Sequence, residues 1–250
     1  MTSDPKWQAF KNPFPGYESE PEDEVPLEKR IAEHERQENA RLSEHLTKCG
    51  VPRLARDRIT AGLEPCPSLE AIERWHKSGL PFLLLYGAAG AWKTTPAGSV
   101  LKSARREHWF LGPDGPVRSW VYDHRRGLFV HACELRGWAY NAEGEAKLAR
   151  ARKVPWLVVD DLGTETLDGA GIWLSALEYL VDHRYANGLK TVITTNLDVI
   201  PDEKRARNSD GSFAKDARDF RDHYGERIAR RIREEGVVAC AGKAARMVNA

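Results

Sequence analysis

Phe82-Leu83-Leu84-Leu85-Tyr86-Gly87-Ala88-Ala89-Gly90-Ala91-Trp92-Lys93-Thr94-Thr95 is the stretch that decides the fold. A short apolar run, a turn of small residues, then Lys-Thr opening a helix-length segment is the layout of a phosphate-binding loop. The chemistry needs those residue types. Small residues let successive backbone N–H groups curl round phosphate oxygens, the lysine reaches the outer phosphates, and the threonine hydroxyl holds Mg²⁺. Gly87, Ala88, Ala89, Gly90, Ala91, Trp92, Lys93, Thr94 and Thr95 are therefore candidate nucleotide-binding residues. One position departs from the pattern. Glycine is wanted immediately before the lysine, and Trp92 stands there. If that position needs φ > 0, a side chain costs on the order of 1 kcal/mol or more, which leaves open a loop that is impaired.

Outward from this loop, apolar runs and helical patterns alternate. Upstream, Leu69, Ile72 and Trp75 recur at helical spacing between Ser68 and Lys77, and Gly79 ends that helix. Pro96 and Gly98 fall in the first turns after Lys93, where proline is tolerated. Downstream, residues 119–122, 128–130, 156–159, 191–195 and 237–240 read as strands. Residues 134–139, 143–152, 172–185 and 217–233 read as helices, the last with Phe220, Tyr224, Ile228 and Ile232 on one stripe. Such alternation implies crossover units and an α/β fold with a central parallel sheet covered on both faces.

The N-terminal part is different. Residues 1–26 carry five prolines and an acidic cluster, so they read as a disordered tail, although Trp7, Phe10, Phe14 and Tyr17 could dock on a partner. Residues 27–48 form a charged helix stopped by Gly50. Leu27, Ile31, Leu42 and Leu46 are too few for a broad buried face, which makes it a solvated helix or partner arm. Residues 49–250 form the main domain.

Composition excludes several classes. A chain of 250 residues with 41% hydrophobic and 30% charged residues has a real core. A net charge of +1 gives no overall steering to nucleic acid. No apolar run is long enough to span a membrane and the N-terminus carries no apolar signal segment, so a cytoplasmic protein is expected. Four scattered cysteines without a C-x-x-C pair read as free thiols.

Further chemistry sits at strand ends. Asp160 and Asp161 close the run Trp156-Leu157-Val158-Val159, where ligands bind in open α/β sheets. In a nucleotide site the first carboxylate serves Mg²⁺ and the second polarises the attacking water. Asn196 follows residues 191–195 in the same way, within reach of a γ-phosphate or lytic water. Arg227 and Arg231 are four apart on the last long helix and share a face. An arginine offered to a neighbour's phosphate is one way to complete such a site.

Lys93-Thr94, the segment Val158 to Glu165, His183-Arg184-Tyr185, Thr191 to Leu197 and Tyr224 to Ile232 occur in this order. Together they resemble the AAA+ P-loop ATPases of the DnaC/DnaI type, the replicative helicase loaders, and their IstB-type transposon relatives. Gly50-Val51-Pro52-Arg53 resembles the segment these proteins carry near the adenine. The resemblance implies a three-layer domain that binds ATP and Mg²⁺ and hydrolyses ATP to ADP and phosphate. Thr94 and Asp160 would be metal residues, Asp161 the catalytic acid and Asn196 the sensor. Arg231, with Arg227 second, would be the arginine finger, and Arg246 would sense nucleotide within its own subunit. The chain ends soon after Arg246, implying no separate helical lid. Implied partners are a replicative helicase or a transposase, single-stranded DNA, and further copies of the chain, with Lys204, Arg205, Arg207, Arg125 and Arg126 as candidate DNA contacts. A pseudo-ATPase adaptor is the reading that Trp92 leaves open.

Overall fold

The computed structural model describes residues 26–112, 115–167, 169–199, 206, 208–209, 216, 218–233 and 236–240. Apart from residue 26, the expected tail lies outside the described residues, as do Arg246 and the Lys204, Arg205 and Arg207 cluster.

Residues 1–38 and 39–250 form two compact units. In the first, helix α1 (Leu27–Cys49) begins, with Leu27 and Ile31 exposed and Gln37 donating to Glu33 at 2.7 Å. In the second, the last turns of α1 correct the expectation of a solvated helix. Leu42, His45, Leu46 and Cys49 are buried there at helical spacing, because His45 and Cys49 complete a stripe that leucines alone could not.

The second unit continues through α2 (Arg53–Ala61), α3 (Pro67–Ser78), β1 (Phe82–Tyr86) and the short α4 (Thr94–Ser99). A ribbon of β2 (Arg105–Gly112) and β3 (Gly115–Tyr122) precedes β4 (Gly127–His131), α5 (Ala132–Trp138), α6 (Ala142–Lys153) and β5 (Trp156–Leu162). After these come α7 (Ile172–Ala186), β6 (Lys190–Thr195), α8 (Phe220–Tyr224), α9 (Glu226–Arg233) and β7 (Val237–Ala239). Residues 119–122 belong to the antiparallel ribbon rather than to the main sheet, and its first strand was not legible as one. The single helix expected over 217–233 is two, because Gly225 at φ 87° breaks it.

Five strands form the sheet in the order β4-β5-β6-β1-β7, every neighbouring pair parallel. Alternate residues of each strand feed opposite faces. Phe82, Leu84, Leu157, Val159 and Ile193 pack with α5 to α9. Leu83, Leu85, Val158 and Val192 pack with α1 to α4. This is the expected three-layer α/β arrangement. The chain leaves β1 toward β4 on one side and leaves β6 toward β7 on the other. The carboxyl ends of β1 and β6 therefore flank a switch point, where a crevice opens in such sheets.

At the opposite end of the sheet, Arg184 is fully buried. Its guanidinium donates to Ala151 O (2.7 Å), Val154 O (2.8 Å), Lys190 O (2.7 Å) and Thr191 Oγ1 (2.8 Å). Burial lowers its pKa to about 9, so it stays charged at neutral pH. The carbonyls it satisfies belong to the end of α6, the approach to β5 and the start of β6. Replacing Arg184 with Ala strands several buried acceptors and should cost about 3–5 kcal/mol in urea unfolding. Arg184→Lys should recover only part of that, because an ammonium lacks the planar fork. Equal stability of Arg184→Ala and wild type would remove this role.

Candidate functional site

The loop after β1 is closed at its base by β7. Cys240 N–H donates to Tyr86 O at 2.7 Å, and a Cβ on Gly87 would lie 2.5 Å from Cys240 O. Only glycine fits there. Residues 88–91 then turn back, with Ala91 N–H donating to Ala88 O at 3.1 Å and Gly90 at φ 79°. Lys93 follows, its residue surface nearly all removed from solvent. Its three ammonium protons go to Gly87 O (2.8 Å), Ala88 O (2.9 Å) and Asn196 Oδ1 (2.8 Å). Burial lowers the Lys93 pKa, opposed by the charges of Asp161, Cys240 and Asp160. The lysine thus ties the loop of β1 to the end of β6 across the switch point.

Trp92 sits at φ 54°, the left-handed region that favours glycine. Sequence alone left this conditional, and the backbone makes it definite. Arg58, from α2, lies 4.9 Å over the indole ring. A cavity of about 350 Å³ opens between Arg58, residues 89–95, Asp161 and Asn196.

A second left-handed residue faces the same cavity. Asp161, also at φ 54°, lies in a β-bulge of β5 between Val159 and Leu162. Bulges re-aim side chains at strand ends. Thr194 of β6 reads both acids of the bulge. Its hydroxyl donates to Asp160 Oδ1 at 2.6 Å and accepts from Asp161 N–H at 2.9 Å. Burial pushes the Asp160 carboxyl above the usual range, against the hydrogen bond of Thr194. His131 Nδ1 accepts from Cys133 N–H at 3.3 Å, which leaves the proton on Nε2, 3.5 Å from Asp161 Oδ2.

Lys93, Thr94, Asp161 and Asn196 line one cavity, and Asp160 stands next to it on Thr194. Arg58, His131 and Thr194 were missed. Their roles depend on a helix not legible around Pro52 and on strand register, which no local motif carries. Arg227 and Arg231 do not line the cavity. Arg227 is largely exposed and pairs with Glu178 at 2.9 Å and with Asp182. Arg231 is half-buried, 3.5 Å from Asp182 Oδ1 and 4.4 Å over the Tyr185 ring.

The donor chemistry fits a magnesium nucleotide. Thr94 and Asp160 offer hard oxygen atoms, and Mg²⁺ takes one or two protein oxygens beside phosphates. No group of three or more His, Cys, Asp or Glu able to hold a metal occurs among the described residues. Strand, turn, Lys-Thr and helix at a sheet switch point have the layout of a phosphate-binding loop.

No family model matches the chain, and no curated protein matches its sequence. Among solved structures, AMPPCP-bound DnaA from Aquifex aeolicus is similar over 72% of this chain and 49% of that one, at 12% identity and a TM-score of 0.47. This chain spans about half the length of that DnaA chain. The DnaC helicase loader is similar over 75% and 91%, at 20% identity and a TM-score of 0.45. DnaI is similar over 74% and 89%, at 17% and 0.45.

Trp92→Ala keeps the left-handed strain and loses the Arg58 contact, whereas Trp92→Gly relieves the strain. The glycine variant should be the more stable of the two by about 1 kcal/mol in urea unfolding. The reverse order would show that the backbone at residue 92 carries no strain.

Proposed function

We propose that this chain binds ATP with Mg²⁺ in the Lys93 cavity and hydrolyses it as an assembly of several copies. The observation that carries the reading is the Lys93–Asn196 contact, which sets a cation and a polar sensor beside Asp161 at the switch point. Lys93 would exchange its carbonyl partners for phosphate oxygens. Thr94 and Asp160 would hold the metal, which neutralises phosphate charge when bound. Asp161, oriented by His131 and by its own N–H on Thr194, would take the proton of the attacking water. Arg58 adds positive charge at the cavity mouth.

The arginine finger would come from an adjacent copy. Arg227 is the more exposed of the two candidates and the freer to leave its partners, while Arg231 is tied to Tyr185 and Asp182. The ordered motifs, through their resemblance to DnaC/DnaI-type loaders, support a DNA-associated accessory ATPase acting on a replicative helicase. A transposase is the alternative partner, as in the IstB-type relatives. A pseudo-ATPase adaptor is the outcome if the left-handed Trp92 has cost the loop its ligand.

Titration with a fluorescent ATP analogue and Mg²⁺ tests the core of this. Wild type should bind, and Lys93→Ala should lose about 10-fold or more in affinity, as for a charged hydrogen bond of 1.5–3 kcal/mol. Equally poor binding by both would leave the adaptor reading standing in its place. Arg227→Ala should cut turnover by about 10-fold or more with analogue affinity unchanged. Arg231→Ala should mainly lower the unfolding midpoint. The opposite split between these two variants would exchange their roles.

A further inference from the structure

The β2–β3 ribbon belongs to neither sheet face nor to the cavity. Trp109, Phe110, Leu111, Val117 and Trp120 are among the exposed large hydrophobic residues, with Trp109 58% and Trp120 52% accessible. A two-stranded ribbon with both faces in water is marginal, so its root must be held. Asp123 N–H donates to Ala104 O at 2.9 Å, and Tyr122 stacks on His45 with centroids 4.9 Å apart. His45 is itself bonded to Leu101 O at 2.9 Å. A rigid root carries an apolar, exposed tip.

The register shows what that tip presents. Directly opposed residues share a face, so Arg105 and Tyr122, Glu107 and Trp120, and Trp109 and Arg118 all lie on one side. Trp109 and Trp120 are diagonal neighbours there. Arg118 lies 5.2 Å over Trp120 and 2.9 Å from Glu107, and Arg105 lies 4.6 Å over Tyr122. Rings and guanidinium groups therefore interleave along the face. Aromatic residues and arginine also occur together in protein–protein interfaces, and what favours a polyanion here is the local excess of positive charge. A single-stranded nucleic acid alternates flat bases with phosphates, and is bound by aromatic platforms set in basic grooves. Residues 105–126 also hold five arginines against three acids, in a chain of net charge +1.

We infer that this ribbon face is a binding site for single-stranded DNA, with bases stacking on Trp109 and Trp120 and phosphates meeting Arg105 and Arg118. The site shares with the reading above the expectation of a DNA partner, but not its residues. An ATP-analogue titration on the same proteins therefore separates the two.

Fluorescence anisotropy of a labelled thymidine oligonucleotide, with full-length protein, is the test. Wild type should bind, and affinity should fall with a log–log slope of about 0.7 per phosphate contacted as salt rises from about 50 mM to about 200 mM. Each of Trp109→Ala and Trp120→Ala should lose about 5-fold or more, and the double variant more than either. Arg118→Ala should reduce the salt slope, and Arg118→Lys should largely restore it. ATP-analogue affinity should stay at the wild-type value in all five. Undiminished oligonucleotide binding by the double variant, or none by wild type, overturns the proposal. So does a wild-type oligomer that the double variant converts to monomer without any loss of DNA binding, which would make the face a protein interface. Tighter binding of a duplex than of the single strand would also overturn it, because paired bases offer no free faces for stacking.

Discussion

Everything at the site depends on the register between β5 and β6. At one end Arg184 ties the approach to β5 to the first residues of β6, and Lys190 N–H donates to Pro155 O at 3.0 Å. That pairs Trp156 with Lys190 and Leu157 with Thr191. Continued along the strands, the same register brings Thr194 to Asp160 and to the bulge at Asp161. A slip of one residue would turn Thr194 to the other face. Burying a guanidinium without a carboxylate is an expensive way to hold two strands. Its return is geometric, because a planar fork with several donors fixes direction as well as distance.

The cavity itself is built from groups in unfavourable local states that satisfy one another. Trp92 and Asp161 both adopt left-handed backbone, and strain of this kind persists only where neighbours over-determine it. Arg58 covers one, and Thr194 and His131 hold the other. Lys93 is buried but fully partnered. On the proposed reading a phosphate would meet an occupied ammonium, so affinity would reflect the difference between two sets of acceptors rather than the whole strength of one.

Most of the sheet was legible in the chain because β1 and the first part of β5 read as unbroken apolar runs and β6 as a β-branched one. Their polar ends then mark the site, which is why Lys93, Asp160, Asp161 and Asn196 stand out without coordinates. What stayed hidden depends on pairing. Arg105, Arg106, Glu107 and His108 carry no strand signal until Tyr122 to Ser119 lie beside them. Thr194 looks like any β-branched strand residue until its register is known. The bulge at Asp161 adds no residue type that a pattern could detect. Gly225 divides a stripe whose helical spacing continues across the break, since Phe220, Tyr224, Ile228 and Ile232 are all buried.

Glu165 lies five residues beyond Asp160 and is buried. Its carboxylate accepts from Gly163 N–H at 2.9 Å, from Trp173 Nε1–H at 3.1 Å and from the Tyr224 hydroxyl. Those donors belong to the turn after the acids, to α7, and to the last residue of α8 before Gly225. One carboxylate is therefore the joint of three levers. Through it the turn after Asp161 is bonded to α7, which holds Glu178 and Asp182, and to the end of α8 before Gly225, beyond which Arg227 and Arg231 lie. The turn that follows the strand-end acids and the helix that precedes Arg227 and Arg231 are joined through a single buried side chain.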